Sequence, residues 1–258
     1  MIDGRRIRTG TAVFLGVLLA LAFAMAACSA GAERRSAPPA ATSSPPVDAS
    51  SPSAPESPPL QAVVINDSFT AQSQYGGVGG KNWTSRLHRA IGQAGVDVYM
   101  RKEDRVVGYS ANGPQGPTFQ SAVARMVNAD TDLVILFGGG NDVRSMPALA
   151  DGVTRAISEV RTVAPGAKII LIGPTWPRPE PPSEQILAVD DTIGTVAAEN
   201  NVEFISPIKE DWFAGDSALM APDGIHSSNA GHEVISRRLA DRVIDALRSA
   251  NDPSVGHP

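Results

Sequence analysis

The sequence predicts an α/β fold, a doubly wound sandwich with a mostly parallel sheet between two layers of helices. Three observations carry this. Short runs rich in Val and Ile alternate with amphipathic stretches from residue 62 onward. The runs are nearly continuous in apolar character, as in strands buried on both faces. Each is followed by a helical pattern, the signature of strands whose crossovers cover the sheet.

In chain order, Ala62-Val-Val-Ile65 is the first strand, and a helical pattern runs from Trp83 to about Ala94. Asp97 to Met100 and Arg105 to Val107 read as two further short apolar runs. Thr118 to Val127 reads as helix, Asp132 to Leu136 as a buried strand, Pro147 to Val163 as helix and Ala167 to Ile172 as strand. A helix near Ser183 to Asn200, a strand at Val202 to Ile205 and a helix from Asn229 to about Ser249 complete the series. Apolar period and length distinguish the two kinds of segment. No tandem repeat interrupts them.

The domain is preceded by two segments of different composition. Arg5, Arg6 and Arg8 precede 24 uncharged residues, Thr9 to Ala32, the pattern of an export signal. That run is long enough to span a bilayer. Its end in Met25-Ala26-Ala27-Cys28 favours a different anchor, because small residues before a lone cysteine resemble the bacterial lipobox. Residues 1–27 are therefore expected to be a signal peptide, with lipid attached to Cys28. Residues 28–59 read as a semi-stiff linker, with eight prolines and seven serines between Ser36 and Pro59. Residues 60–250 form the expected folded domain and 251–258 a flexible tail.

Composition narrows the function classes. One cysteine in 258 residues excludes an internal disulfide and a Cys-based zinc site. The net charge is −5, and residues 60–258 carry 17 basic against 23 acidic side chains, a net −6. An acidic domain is a poor partner for nucleic acid.

In a parallel sheet ligands bind at the carboxyl ends of the strands. Asn66-Asp67-Ser68 follows the first strand, Gly108 to Gly113 follows Val107, and Phe137-Gly-Gly-Gly-Asn141-Asp142 follows Leu136. Pro222-Asp223-Gly-Ile-His226 stands in a loop before the last helix. A serine hydroxyl becomes a nucleophile when an imidazole takes its proton and a carboxylate orients that imidazole. Ser68, His226 and Asp223 supply those roles. A tetrahedral oxyanion needs preorganised donors, for which Gly113 and Asn141 are placed.

These blocks resemble the SGNH (GDSL-like) serine hydrolases, in order and over nearly the whole domain. Ser68 matches the first-block serine, Gly113 the oxyanion glycine, Asn141 the oxyanion asparagine and Asp223-Gly-Ile-His226 the Asp-x-x-His pair. The resemblance implies a flavodoxin-like three-layer α/β/α sandwich, ester or thioester hydrolysis through an acyl-enzyme, and no metal or other cofactor. One departure stands out: the family usually has Gly-Asp-Ser where this chain has Asn66-Asp67-Ser68. If that glycine serves a positive φ, asparagine is the least costly replacement. If it serves for lack of a side chain, Asn66 crowds the site. The first reading is favoured on steric grounds.

Competing residues fare less well. His88 falls within a helical pattern, His232 near the start of the last helix and His257 in the tail; only His226 has an Asp three residues earlier in a loop. Asp67 is expected to bond neighbouring backbone and Asp142 to anchor its own loop. Ser110 lacks the second glycine of a nucleophile elbow. The glycines of residues 75–81 miss the phosphate-loop spacing. Residues 73–82 read instead as a mobile loop rimming the pocket, with Trp176 a second rim candidate. The expectation is an exported serine esterase, lipid-anchored to the outer face of the cell membrane and acting on acetylated glycans or lipid esters. An acyltransferase would use the same residues. A binding lipoprotein with a site weakened by Asn66 is the alternative from another class.

Overall fold

Five parallel strands lie in the order β2-β1-β3-β4-β5. They are β1 (Leu60–Asp67), β2 (Val98–Val106), β3 (Leu133–Phe137), β4 (Lys168–Ile172) and β5 (Glu203–Ile205). Helices α1 (Trp83–Gln93), α2 (Phe119–Met126), α3 (Met146–Val163), α4 (Glu184–Glu199) and α5 (Asn229–Ala250) connect and follow them. The computed structural model describes residues 58–110, 116–178, 180–213 and 215–252. The expected signal peptide, Cys28, most of the linker, Gly113 and residues 253–258 lie outside the described residues.

The strand order is that of a flavodoxin-like sheet, with the chain reversing direction across the sheet between β1 and β3. Side-chain alternation divides the core into two layers. Val63 and Ile65 of β1, with Val134 and Leu136 of β3, pack on Phe119 of α2, Leu149 and Val153 of α3 and Ile193 of α4. Ala62 and Val64, with Leu133 and Ile135, face Trp83 and Leu87 of α1 and Ile235 and Leu239 of α5. Burying one such large apolar side chain contributes about 1.5–3 kcal/mol, so the two layers dominate stability. Polar caps start the helices: Asn82 Oδ1 accepts from Thr84 N–H, Thr118 Oγ1 from Ser121 N–H and Ser183 Oγ from Ile186 N–H.

Most elements lie within one or two residues of the sequence reading. The exception is β2, which reads as two apolar runs and is one strand of nine residues. It is the sheet edge, where Arg101-Lys102-Glu103-Asp104 can be charged without entering the core. The strand ends in a bulge. Asn66 pairs with Asp104 and Asp67 with Val106, so Arg105 is the extra residue, at φ 73°.

Candidate active site

Ser68 follows β1 directly and is half-buried. Asn141 occupies the first turn of a short 3-10 helix, Gly140–Ser145, that follows β3. The turn holding Asp223 and His226 precedes α5. All three loops meet at the carboxyl edge of the sheet, because β1 and β3 are adjacent and the last loop is tied to the first. Ser227 N–H donates to the Phe69 carbonyl at 3.3 Å, one residue beyond each of His226 and Ser68.

The His226 turn is closed by its own backbone. Ala221 N–H donates to the His226 carbonyl at 2.8 Å, and Gly224 N–H to the Ala221 carbonyl at 3.0 Å. Ser228, two residues on, caps α5 through Gly231 N–H and donates its hydroxyl to the Ala218 carbonyl at 2.7 Å. Within this turn Asp223 Oδ1 accepts from the N–H groups of Ile225 and His226, and Oδ2 lies 2.8 Å from His226 Nδ1. The backbone N–H of His226, then its ring, then the N–H of Ile225 hold the Asp223 carboxyl down at about 2. Asp223 is thus ionised across the working range, and its acceptance at Nδ1 leaves the proton on that nitrogen. The Nε2 lone pair is then free to take a proton.

Asn141 owes its position to the glycines before it. Gly139 stands at φ 115°, a conformation side chains rarely adopt. A β-carbon on Gly138 would lie 2.7 Å from Asp67 Oδ2 and 2.9 Å from the Phe119 ring. Asp67 bonds neighbouring backbone, accepting from Phe69 N–H at 3.0 Å. Burial, opposed by the hydrogen bond from Phe69 and reinforced by the charge of Asp142, raises its carboxyl to about 7. Asp142 does more than anchor its own loop. Its carboxylate accepts from Tyr109 N–H, Ser110 N–H and Ser110 Oγ, fixing the segment after β2. Ser110 is thereby buried and already hydrogen-bonded.

Asn66 corrects the steric expectation. It has no positive φ; it is the penultimate residue of β1, fully buried, with Nδ2 donating to the Asp67 carbonyl at 3.0 Å. Alternation along β1 points it to the α1 and α5 side, opposite to Asp67. Residues 73–82 also differ from the reading. Gly77 N–H donates to Asn229 Oδ1 at 3.1 Å, and the loop packs on the buried His232 at the start of α5. It does not line the groove at Ser68.

That groove, about 800 Å³, is bordered by Ser68, Asn141, Val107, Trp176 and Ile186, and by Arg105, Arg144 and Arg178. Trp176 therefore stands where a rim residue was expected. The arginines were not foreseen: they come from strand β2, the 3-10 helix after β3 and the loop after β4, and the bulge that presents Arg105 has no signature in the sequence. A cleft of about 600 Å³ lined by Arg161, Lys168 and Arg242 lies at the amino ends of β4 and β5, away from Ser68.

The model of the GDSL-like Lipase/Acylhydrolase family matches residues 67–234, from the residue before Ser68 to beyond His226. The chain belongs to this family. A GDSL lipase of Mycobacterium tuberculosis, Rv0518, is 34% identical over 186 residues, covering 70% of this chain and 80% of the relative. Among solved structures, the carbohydrate acetylesterase Est24 of Sinorhizobium meliloti superposes with a TM-score of 0.54 at 18% identity, over 72% of this chain and 99% of that one. A family 3 carbohydrate esterase of Clostridium thermocellum gives 0.55 at 21%, over 74% and 98%. At these identities the structures share the fold. As a GDSL-like acylhydrolase, the chain is an SGNH-type esterase or lipase with the flavodoxin-like sheet.

Proposed function

We propose that this GDSL-like hydrolase is an exported, membrane-anchored serine esterase that cleaves carboxylic esters, acetylated glycans or lipid esters, through an acyl-enzyme on Ser68. The observation that carries the site is the turn of Asp223 and His226, held to the Ser68 loop by the hydrogen bond from Ser227 to Phe69.

His226 Nε2 takes the Ser68 hydroxyl proton as the oxygen attacks the ester carbonyl. Asp223 holds the ring orientation and stabilises the imidazolium. Asn141 Nδ2 and the N–H groups of Ser68 and Gly113 receive the oxyanion. Collapse expels the alcohol, which takes its proton from His226. Water, deprotonated by the same nitrogen, then releases the acyl group and restores Ser68. A panel of p-nitrophenyl esters from acetyl to palmitoyl, hydrolysed by the full chain, measures the activity and its chain-length preference. Loss of hydrolysis in Ser68→Ala is expected; full activity in that variant would overturn the assignment.

The anchor in this reading is lipid on Cys28. Each buried methylene contributes about 0.8 kcal/mol, so stable attachment takes more than one acyl chain, as a lipobox cysteine supplies. Labelled palmitate should enter the wild-type protein and not Cys28→Ala, whose hydrolase activity should move from the membrane to the soluble fraction. Equal membrane retention by both would contradict the lipid anchor.

A further inference from the structure

The groove at Ser68 has a charge opposite to that of the domain. Residues 60–258 carry a net −6, yet among the described residues the groove is bordered by three arginines and by no aspartate or glutamate. None of Arg105, Arg144 and Arg178 takes part in an ion pair among the described residues, whereas Arg86, Arg125 and Arg242 elsewhere each face a glutamate. Like charges gathered without counter-charges repel, so their concentration beside a nucleophile calls for a ligand of opposite sign.

Two features show that the arginines are placed rather than scattered. Arg105 is the bulged residue of β2, in a left-handed conformation that is strained for arginine, and the bulge falls opposite Asn66 and Asp67, immediately before Ser68. Bulges beside active sites re-aim a side chain, and strain of this kind persists where the surroundings impose it. Arg178 lies over the Trp176 ring, 5.3 Å from its centroid, and Trp176 is itself fixed by donating Nε1–H to the Glu180 carbonyl at 2.6 Å. Arg178 also borders the recess at Ala221, Pro222 and Gly224, so it stands between the Asn141 loop and the His226 turn. Arg144 follows Asn141 by three residues on the same 3-10 helix.

We propose that this groove selects esters carrying a negative charge, a carboxylate or a phosphate, on the limb that lies in it, and that Arg105, Arg144 and Arg178 bind that charge. Guanidinium groups match both anions with paired N–H donors. The proposal rests on the assignment of Ser68 as nucleophile and adds the substrate's charge to it.

The test compares mono-p-nitrophenyl adipate with p-nitrophenyl hexanoate, which share chain length and leaving group and differ in one carboxylate. The full-length protein is expected to favour the anionic ester in kcat/KM by about tenfold at low salt, the scale of one charge-assisted contact. That preference should shrink as ionic strength rises, because the arginines are exposed. The triple variant R105Q/R144Q/R178Q should lose the preference. Arg155→Gln, on the outer face of α3 and away from the groove, should keep it, which separates a local contact from net charge. Equal rates on the two esters, or a preference that survives in the triple variant, would overturn the anionic groove while leaving the Ser68 assignment standing. Absence of hydrolysis of both esters would remove both. Vesicles of phosphatidylglycerol and phosphatidylcholine identify the source of the anion. Fatty-acid release from the former in preference places it in a lipid headgroup, and preference confined to the soluble ester places it on a soluble substrate; either sustains the groove.

Discussion

Asp142 Oδ1 accepts a hydrogen bond from Ser110 Oγ at 2.8 Å, joining the residue after Asn141 to the segment after β2. Both oxygens of this buried carboxylate are engaged, Oδ1 also by Ser110 N–H and Oδ2 by Tyr109 N–H. The contact links the loop of one proposed oxyanion donor, Asn141, to the chain segment that leads in sequence toward another, Gly113.

Asp142→Ala should therefore reduce stability and catalysis together. It leaves buried donors unpaired, each costing about 1–3 kcal/mol, so a total loss of about 3 kcal/mol is expected from urea unfolding. kcat should fall more than KM rises, since the Asn141 loop and the segment of Tyr109 and Ser110 are released from each other while the groove wall at Trp176 stays. An unchanged kcat would separate Asp142 from the oxyanion geometry.

Asn141→Ala should leave the fold intact and act on the transition state. Loss of one oxyanion donor costs about 3 kcal/mol, a hundredfold or more in kcat. Asn141 is exposed, so the unfolding midpoint should hold, and a stopped assay on p-nitrophenyl acetate with a parallel melt separates the two effects.

Asp67 makes stability depend on pH in a direction unusual for a carboxylate. Burial holds its proton up to about 7, whereas an unfolded aspartate releases it near 3.8. Between those values the folded chain binds one more proton than the unfolded chain, so this group's contribution falls as pH rises from about 4 to 7. Its full swing is on the order of 4 kcal/mol. Asp67→Asn, which resembles the protonated form, should gain stability relative to wild type as pH rises through that window. Unfolding midpoints of the two proteins at pH 4 and pH 8 check it; a constant difference would contradict the raised carboxyl.

His232 works with the opposite sign. Burial first, then the charges of Lys102 and Arg86, lower its imidazole to about 4, and its Nδ1 accepts from Trp83 N–H at 3.4 Å. The unfolded chain binds the extra proton between about 4 and 6.5, so this contribution is lost as pH falls through the window. His232→Gln should flatten that loss relative to wild type, measured by the same unfolding series.

Asn66→Gly tests the departure from the family's glycine. The structure places Asn66 within β1, on the face away from Asp67, where glycine lacks packing and adds chain entropy. A loss of about 1 kcal/mol in stability with no gain in kcat is expected. A rise in kcat would show that the Asn66 side chain crowds the site.

Sequence reading was most informative where structure is local or doubly buried. β1, β3 and β4 were legible as apolar runs because helices cover both of their faces. Asp223 and His226 were legible because their contact spans three residues of one turn. β2 was divided because the sheet edge tolerates Arg101 to Asp104, and Asn66 was misjudged because β1 continues past its apolar run through Asp67. Arg105, Arg144 and Arg178 escaped notice because they are distant in sequence and converge only through strand order and one bulge.

The central claim is that Ser68 is the nucleophile. A fluorophosphonate probe on the full-length wild-type protein, followed by peptide mass mapping, tests it most directly. The account predicts a single adduct on Ser68, lost in Ser68→Ala and slowed in His226→Ala. An adduct on another serine, such as Ser110, or labelling that survives in Ser68→Ala, would contradict it.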